Sequence, residues 1–355
     1  MNIISPISCH TGYGITGYNI WNELYTHNTD TTLFNIGDIS IEDHWNKDNI
    51  IRSLRNQEHF NSTNDCLKIW HTNDILFRPI GNSKYGCLTF FELNHIPQRE
   101  IKSINLLDYI FVASEWAKNV LLDQGVTTSI IVCPQGVDRD IFTNNYIQPP
   151  KDDTYIFINI GKWEVRKGHD ILYQIFNSAF SKDDNVALWM INTNPFLTQE
   201  QTQKWIDLYK NSELGEKIKI FPRIKSQKQL AILMQYADCG IFPSRAEGWN
   251  NEAIEMMSVG KPIIITNYAA HTQYCNKHNA YLIDIDRLCE ARDDMWFKNT
   301  IGQWADINNR CIEQFIENMR HVYSYRITTN PFGVSTAQTL SWANTTKIIE
   351  TYLNA

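Results

Sequence analysis

The sequence predicts an α/β protein with two Rossmann-like domains, each built on a parallel sheet. Short apolar runs alternate with amphipathic helical segments along the chain of 355 residues. This alternation is typical of parallel strands joined by helical crossovers, which are right-handed in nearly all proteins. The pattern stops at residues 146–153, YIQPPKDD, and then restarts. Because prolines and a charge cluster mark linkers, we expect two successive sheets rather than one.

Six apolar runs predict the strands of the first sheet. They are nearly continuous and rich in β-branched and aromatic residues, which suits strands buried on both faces. They cover residues 3–7, 33–36, 67–70, 87–91, 109–113 and 129–133. Between the first two runs we expect a helix, because Tyr18, Trp21 and Tyr25 have the spacing of one helical face. Ser114 is the expected N-cap of a later helix.

Five further runs predict the strands of the second sheet, at residues 155–160, 186–191, 217–221, 239–242 and 263–266. After the fourth run we expect a helix over residues 251–259, with Gly260 as a left-handed C-cap and Pro262 as its stop. Residues 336–353 predict one final helix. The expected domains are residues 1–147 and 148–335, and the segment 336–355 is free to join the first.

The composition restricts the functions that the chain can have. Its net charge is -7 and its pI is near 5.8, which argues against a general nucleic-acid binder, because such proteins neutralise phosphates. We find no run of about 18 apolar residues and no signal peptide, so we expect a cytoplasmic protein without a transmembrane segment. The eight cysteines form no Cys-x-x-Cys pair. We interpret them as buried thiols rather than disulfides or zinc ligands.

Gly12, Gly14 and Gly17 form a G-x-G-x-x-G pattern that follows the first predicted strand and opens a helix. With Asp38 further on, the pattern matches a dinucleotide fingerprint, in which glycines approach a pyrophosphate and the acid binds a ribose. However, the gap between residue 7 and Gly12 is long for such a turn. Three interpretations stay open: an NAD(P) or FAD site, a site for another anionic ligand, which we favour, and a purely structural turn.

The stronger signal lies in the loops of the second domain, because parallel sheets bind ligands where their strands end. Lys162, Arg166 and Lys167 crowd the loop NIGKWEVRKGHD just before a predicted helix. Cations at a helix start favour a phosphate or diphosphate. Arg223 follows another strand, where it could contact a base, and Ser226 can cap the next helix. A solvated charged loop is the alternative interpretation.

Two carboxylates, Glu247 and Glu255, are separated by seven residues around the start of a predicted helix. Glu247 lies in the loop and Glu255 one turn into the helix, so both can face one cleft. The amides of a helix N-terminus favour a phosphate, whereas carboxylates accept hydrogen bonds from sugar or ribose hydroxyls. An anion site beside a hydroxyl site fits a nucleotide sugar. Surface acids near a helix start are the alternative.

These segments resemble the retaining GT-B glycosyltransferases of the GT4 type. The first resemblance is that of EGWNNEAIEMMSVGKP to the family's E-x7-E segment, E-G-F-G-x4-E-A-M-A-x-G-x-P. The second is that of GKWEVRKG to its G-R-L-x-x-x-K-G. The third is that of VASEWAKNVLLDQGV and IIVCPQGVDRDIF to the family's V-P-S and V-x-P-x-G-V-D segments. The resemblance covers residues from about 105 to 285 and implies two Rossmann-like domains that face each other across a cleft.

The resemblance also implies roles for matched positions. Lys162 and Lys167 take the places of the residues that hold the donor diphosphate, and Glu255 that of the glutamate on the ribose. The implied donor-binding set is Gly12, Gly14, Lys162, Lys167, Arg223, Gly248, Trp249, Asn250 and Glu255. The catalytic candidates are Glu247, Lys167 and His71, and Glu92 is a candidate on the acceptor side. Three positions depart from the family: Lys162 replaces an arginine, Trp249 a phenylalanine and Asn250 a glycine.

The resemblance implies a hexosyltransferase that moves a sugar from a UDP- or GDP-linked donor to a hydroxyl of a glycan, lipid-linked or protein acceptor, with retention of configuration. Lysines and helix amides are expected to stabilise the leaving diphosphate without a metal. No cofactor is expected, because the donor is a substrate, and no nucleic-acid partner. Three alternatives stay open: an NAD(P)-dependent Rossmann oxidoreductase, a nucleotide-sugar epimerase or phosphorylase, and a non-catalytic carbohydrate- or nucleotide-binding relative.

Overall fold

The chain divides into two compact units, each with its own parallel sheet. The computed structural model describes residues 1–76, 80–224, 226–293, 295–298 and 301–353. The first domain consists of Met1–Gly136 and Leu340–Ala355, and the second of Val137–Thr339. In this described part of the chain, each domain holds one six-stranded parallel sheet with helices, so the two predicted Rossmann-like domains are confirmed.

The first sheet has its strands where the apolar runs predicted them. They are β1 (Asn2–Ser5), β2 (Thr32–Asn35), β3 (Cys66–Ile69), β4 (Tyr85–Thr89), β5 (Tyr109–Val112) and β6 (Ser129–Val132). Each strand starts and ends within two residues of its predicted run. The strands pair in the order β2-β1-β3-β4-β5-β6, and the pairs are parallel. The four inner strands are almost wholly buried, which explains their apolar runs, whereas the edge strands β2 and β6 are partly exposed.

The first four helices of the first domain are α1 (Gly12–His27), α2 (Lys47–Arg55), α3 (Gln98–Ile104) and α4 (Glu115–Asp123). The predicted face of α1 is confirmed, since Tyr18, Trp21 and Tyr25 are buried. The predicted cap of α4 is confirmed as well. The Ser114 Oγ accepts a hydrogen bond from the Ala117 N–H at 3.2 Å. This bond satisfies one of the amides that a helix start leaves without an intrahelical partner.

The second sheet contains the five predicted strands and a sixth. They are β7 (Tyr155–Gly161), β8 (Val186–Asn192), β9 (Ile218–Ile220), β10 (Cys239–Phe242), β11 (Ile263–Thr266) and β12 (Tyr281–Ile283). Their order is β12-β11-β10-β7-β8-β9. The short edge strand β12 was not predicted. An antiparallel pair, β13 (Leu288–Glu290) and β14 (Gln303–Ala305), was also not predicted.

The helices of the second domain are α5 (His169–Ala179), α6 (Gln199–Lys210), α7 (Gln227–Tyr236), α8 (Asn251–Ser258), α9 (Asn309–Ser324) and α10 (Pro331–Thr339). The predicted end of α8 is confirmed. Gly260 has a φ of 80°, and its N–H donates to the Met257 carbonyl at 3.0 Å. The next N–H, of Lys261, donates to the Met256 carbonyl at 3.0 Å, which completes a Schellman cap.

The Pro-rich segment at residues 146–153 is part of the second domain. The division falls between residues 136 and 137, whereas the sequence analysis placed it between 147 and 148. The Gln148 Nε2 donates to the Gln235 Oε1 at 2.7 Å, and the Lys151 ammonium forms an ion pair with Asp238. These contacts attach the segment to α7 and the residues that follow it. The prolines restrict the backbone of this segment, but the segment is not a linker between the domains.

The C-terminal segment forms two helices instead of the single helix expected over residues 336–353. The first, α10, belongs to the second domain, and α11 (Trp342–Tyr352) packs on α1 in the first domain. The break occurs where the Ser341 side chain accepts a hydrogen bond from the Asn344 N–H at 3.1 Å. A serine in this position starts a new helix, because its side chain satisfies an amide of the first turn. In the described residues, no helix is long and apolar enough to cross a membrane.

Candidate functional site

Two charged loops meet where β7 and β10, neighbouring strands of the second sheet, end. Residues 162–168 connect β7 to α5, and residues 243–250 connect β10 to α8. Gly168 has a φ of 74°, and a Cβ at this position would lie 2.1 Å from the Pro243 carbonyl oxygen. Because glycine has no side chain, it allows this left-handed turn and this close approach. The two loops therefore pack backbone against backbone, which brings their side chains together.

Glu247 is the centre of a group of buried ion pairs. Its Oε1 accepts hydrogen bonds from the Lys167 Nζ at 2.9 Å and the Ser244 Oγ at 3.0 Å, and its Oε2 from the Arg166 Nη1 at 2.6 Å. Arg166 also donates to the Glu164 Oε2 at 2.8 Å. The four charged residues are 5–8% exposed, and we call Glu164, Arg166, Lys167 and Glu247 the buried charge cluster. Charges at this depth require partners of opposite sign.

Two further charges connect the buried charge cluster to solvent. The Lys162 Nζ lies 3.8 Å from the Glu164 Oε1, and the Lys162 side chain is 39% exposed. On the other side, the Glu252 Oε1 lies 3.8 Å from the Lys167 Nζ. With these two residues included, three positive charges face three negative charges. The formal charges balance, and Lys162 is the cation with the greatest access to an incoming anion.

Burial and the neighbouring charges act in opposite directions on Glu247 and Lys167. Burial alone would raise the pKa of Glu247, but Arg166 and Lys167 outweigh it and hold that pKa well below its usual range. Burial alone would lower the pKa of Lys167, but Glu247 and Glu252 outweigh it and raise that pKa. At neutral pH, Glu247 is therefore an anion that accepts hydrogen bonds, and Lys167 is a cation that donates them.

Asn250 shapes the start of α8. It has a φ of 82°, and its Oδ1 accepts a hydrogen bond from the Ala253 N–H at 3.3 Å. Its Nδ2 donates to the His271 Nε2 at 2.9 Å, so the Nδ1 of His271 carries the proton and donates to the Thr266 carbonyl at 2.9 Å. Burial lowers the pKa of His271 to about 4. Asparagine is tolerated in the left-handed conformation, which explains how it fits where the resembling family has a glycine.

The loop before α8 and the first residue of α8 contain two buried polar atoms without a hydrogen-bond partner in the described structure, the Trp249 Nε1 and the Asn251 Oδ1. Trp249 is 5% exposed, and its ring lies 5.0 Å from that of Tyr274. The Tyr274 hydroxyl donates to the Trp249 carbonyl at 3.0 Å, which fixes the loop backbone. An unpaired buried polar group costs about 1–3 kcal/mol, so a ligand that bonds to these atoms would recover that energy.

Three other predicted donor-side residues lie outside the buried charge cluster. Glu255 is 7% exposed inside α8, and Gly248 is buried in the preceding loop. Arg223 is exposed after β9. The structure thus joins Lys167 to Glu247 directly and places Lys162 at the margin, while Glu255 lies in α8 and Arg223 follows the edge strand β9. Their contacts with a donor stay predictions.

Gly12 and Gly14 lie in the first domain, at the start of α1. The Thr11 Oγ1 accepts a hydrogen bond from the Gly14 N–H at 3.1 Å, and a Cβ on Gly14 would lie 2.3 Å from the Ser8 carbonyl oxygen. This close approach supports the structural interpretation of Gly14. Asp38 is exposed beyond the end of β2. Contact of Gly12 and Gly14 with a donor stays a prediction.

His71 and the glycine turn are joined by Tyr13, which the sequence analysis missed. The Tyr13 ring centroid lies 4.4 Å from that of His71, 5.1 Å from that of Phe90 and 5.7 Å from that of Trp70. The Tyr13 hydroxyl also donates to the Phe90 carbonyl at 3.1 Å. We call Tyr13, Trp70, His71 and Phe90 the aromatic group. It lies where β1, β3 and β4 end, with the half-buried Glu92 two residues after Phe90.

The sequence analysis also missed part of the buried charge cluster. Arg166 was predicted as one of three cations of a phosphate site and not as a partner of Glu247, and Glu164 and Ser244 were not considered. The only signal for them was local, since Glu164 lies among the loop cations and Ser244 lies just before Glu247. In the described residues, no group of three or more His, Cys, Asp or Glu side chains is placed to hold a metal ion.

Comparison with known sequences gives one family match and two curated relatives. The family described as glycosyl transferases group 1 matches residues 141–320, which are 180 of the 355 residues. A GDP-mannose:cellobiosyl-diphosphopolyprenol alpha-mannosyltransferase of Xanthomonas campestris is 25% identical over 166 residues, 46% of this chain and 42% of that protein. An uncharacterized glycosyltransferase of Methanocaldococcus jannaschii is 27% identical over 115 residues, 32% of this chain and 26% of that protein. The chain thus matches less than half the length of these relatives.

Solved structures resemble the chain over nearly its whole length. A sucrose-phosphate synthase from Thermosynechococcus elongatus has a TM-score of 0.70 at 12% identity, covering 99% of this chain and 97% of that one. A glycosyltransferase from Rickettsia africae has a TM-score of 0.70 at 16% identity, with the same coverage. At such low identity the likeness shows the fold alone, which is the GT-B fold with its two Rossmann-like domains.

Proposed function

Because the chain belongs to the glycosyl transferases group 1 family, we propose that it transfers a glycosyl group from a nucleoside-diphosphate sugar to a hydroxyl of an acceptor. The observation that carries this proposal is the buried charge cluster. It combines two cations and two carboxylates where adjacent strands of a parallel sheet end, which is the usual place for ligands in such sheets.

The donor diphosphate binds at Lys162, Lys167 and the start of α5. Gly168 caps α5 without a side-chain hydrogen bond, so amides of the first turn have no side-chain acceptor and can bind an anion. The ammonium of Lys167 has three donors and donates one to Glu247, so it can hold a phosphate oxygen at the same time. Lys162, at the exposed margin, supplies the second charge.

Catalysis rests on charges that are in place before the donor arrives. Negative charge accumulates on the diphosphate as the bond to the sugar breaks, and fixed cations stabilise it without reorganising. Glu247 holds Arg166 and Lys167 in position, and as an anion it also stabilises positive charge on the sugar carbon. Retention of configuration and independence from metal ions are the outcomes that the family resemblance implies, and we adopt both.

The sugar and the ribose are held by the loop before α8 and by α8 itself. The unpaired Trp249 Nε1 can donate to a sugar hydroxyl, and the unpaired Asn251 Oδ1 can accept from one. Glu255 accepts from the ribose hydroxyls, and the exposed Arg223 contacts the base. Trp249 and Asn251 therefore determine which sugar is accepted, because each ligand hydroxyl must match an oriented donor or acceptor.

The acceptor binds at the aromatic group of the first domain. Aromatic faces pack well against the C–H face of a sugar ring, while His71 and Glu92 offer polar atoms for its hydroxyls. The Xanthomonas campestris relative, by its name, uses GDP-mannose and a lipid-linked sugar. GDP-mannose and lipid-linked oligosaccharides are therefore the first donor and acceptor to examine.

The test is a panel of GDP- and UDP-sugars, with and without lipid-linked oligosaccharides, in which release of nucleoside diphosphate and the anomeric configuration of the product are measured. We expect one donor class to be turned over, with less turnover in Lys167→Ala and Glu247→Gln. Lys204→Ala and Glu200→Gln are matched controls, because this exposed pair, 2.8 Å apart, lies in the same domain. Release from no donor, or equal loss in the controls, contradicts the proposal.

A further inference from the structure

Cys9, His10 and Ser40 lie together in the first domain, outside the site described above. The Cys9 Sγ lies 3.3 Å from the His10 Nδ1. The His10 Nε2 lies 2.8 Å from the Ser40 Oγ and 3.9 Å from the Cys9 Sγ, and the same sulfur lies 3.7 Å from the Ser40 Oγ. The thiol, the imidazole and the hydroxyl thus form a compact triangle, in which a nucleophile lies beside a base and a hydroxyl that is hydrogen-bonded to that base.

Backbone contacts hold this arrangement in place. The Cys9 N–H donates to the Ser40 carbonyl at 2.9 Å, and the Ser40 N–H donates to the Ile7 carbonyl at 3.0 Å. A parallel β-bridge also pairs Ser8 with Ser40. The segment after β1 and the segment after β2 are therefore fixed against each other. Their side chains meet without help from a ligand.

The contacts place the imidazole of His10 directly beside the thiol. The Ser40 Oγ is hydrogen-bonded to the Nε2 of His10, and both ring nitrogens lie near the sulfur. Cys9 is half-buried and His10 is exposed, so a small reagent can reach the sulfur. A thiol reacts as its thiolate, and a nearby imidazole that takes the proton increases the thiolate population.

The other cysteines lack these properties. Six of the eight are buried, and Cys289 shares the intermediate exposure of Cys9. Around Cys289, however, burial and the charge of Asp306 raise the pKa of the thiol. Cys9 and Cys289 thus have similar exposure but opposite surroundings. This makes Cys289 an internal reference for the reactivity of Cys9.

We propose that Cys9 is a modification site, at which the thiol forms a mixed disulfide with a low-molecular-weight disulfide. The His10 imidazole takes the proton of the thiol, and the thiolate attacks one sulfur of the disulfide. A new S–S bond forms to Cys9 while the old S–S bond breaks, and the other half of the reagent leaves as a thiolate. The small disulfide is the oxidant, so the step needs no further reagent.

The test follows the modification of each cysteine in the folded protein at neutral pH. A small excess of 4,4′-dithiodipyridine is added, and the reaction is quenched at intervals by acid. The labelled fraction of each cysteine peptide is then measured by mass spectrometry. We expect Cys9 to react about tenfold faster than Cys289 or more. This comparison uses the wild-type chain, so it does not depend on how any variant folds.

Variants identify the cause of the reactivity. His10→Ala is expected to slow Cys9 about tenfold without changing the rate of Cys289, and Ser40→Ala to slow Cys9 by about threefold. His59→Ala, at an exposed histidine of the same domain, is the matched control and leaves both rates unchanged. A Cys9 rate at or below that of Cys289 overturns the proposal. So does a Cys9 rate that is the same in His10→Ala as in the wild type.

Discussion

Different kinds of side chain lie at the strand ends of the two parallel sheets. Both have six strands in the described part of the chain, yet four buried charges lie where β7 and β10 end, and aromatic rings in tilted and edge contact lie where β1, β3 and β4 end. The fold determines that loops converge at these edges, and the residues of the loops determine what each edge can bind. The same architecture therefore suits an anion in one domain and a sugar ring in the other.

The difference also concerns how each edge is held together. Buried charges are stable only in balanced sets, so the buried charge cluster depends on each member. The aromatic group depends on packing and on the bond between the Tyr13 hydroxyl and the Phe90 carbonyl. We therefore expect substitutions in the second domain to have large effects on stability and donor turnover. Those in the first domain should have smaller effects, confined to the acceptor.

The largest expected effect is on stability. Glu247→Ala removes the common partner of Arg166 and Lys167 and leaves both cations buried with fewer counter-charges. We expect the free energy of unfolding to fall by about 3–5 kcal/mol, measured by urea denaturation. Glu200→Ala, which breaks an exposed pair, should change it by less than about 1 kcal/mol. Equal losses of unfolding free energy in the two variants would show that the buried charge cluster does not depend on Glu247 for its stability.

The second expected effect is on turnover. Lys167→Ala removes a cation that we propose binds the diphosphate, and we expect kcat for donor turnover to fall by about 10²–10³-fold. Steady-state release of nucleoside diphosphate measures this change, and circular dichroism checks the fold. Lys204→Ala, with the same change of charge at an exposed position, should keep wild-type kcat. An unchanged kcat in Lys167→Ala is inconsistent with the donor site proposed above.

A third effect concerns pH and belongs to the second domain. Burial lowers the pKa of His271 to about 4 in the folded state, whereas the unfolded state binds a proton below about 6.5. Its stabilising contribution is therefore complete above about pH 6.5 and is lost as the pH falls toward 4, at about 1.4 kcal/mol per unit. We expect His271→Asn to reduce the stability lost between pH 7 and pH 5 by about 2 kcal/mol.

Denaturation at the two pH values measures this difference. His59→Asn, at an exposed histidine of the first domain, is the control and should keep the wild-type dependence on pH. If His271→Asn also keeps the wild-type dependence, the neutral histidine inferred from its contacts with Asn250 and Thr266 is not the titrating group.

The smallest expected effect concerns the acceptor. Trp70→Ala removes one ring of the aromatic group, and we expect KM for the acceptor to rise about tenfold, because an aromatic contact with its buried area is worth about 1–2 kcal/mol. Hydrolysis of the donor without acceptor should not change. Trp296→Ala, at an exposed tryptophan of the second domain, is the matched control. A loss of donor hydrolysis in Trp70→Ala would contradict the proposal that the first domain binds the acceptor and the second the donor.

The strands were predictable because their signal is local. Residues 239–242 and 263–266 were predicted to the residue, since a continuous apolar run next to turn residues has few other interpretations. Lys167, Glu247 and Glu255 were selected because they lie at strand ends and match a family pattern. The break at Ser341 was missed because a capping serine resembles any other serine within a helical pattern.

The contacts of the site were not predictable, because they join distant parts of the chain. Arg166 and Glu247 are 81 positions apart in sequence, and Tyr13 and Phe90 are 77 apart. The sequence shows which residues carry charge or rings, but which of them meet depends on how the loops pack. For the same reason, Glu164 and Ser244 could not be distinguished from ordinary loop residues before the structure placed them beside Arg166 and Glu247.

The central claim is that the second domain holds the donor by its diphosphate, through Lys162 and Lys167. A crystal structure of the protein with bound nucleoside diphosphate tests this claim most directly. We expect diphosphate oxygens within hydrogen-bond distance of both ammonium groups and of the first amides of α5, with Glu247 still bonded to Arg166. A diphosphate that binds elsewhere on the chain, away from both lysines, would contradict it.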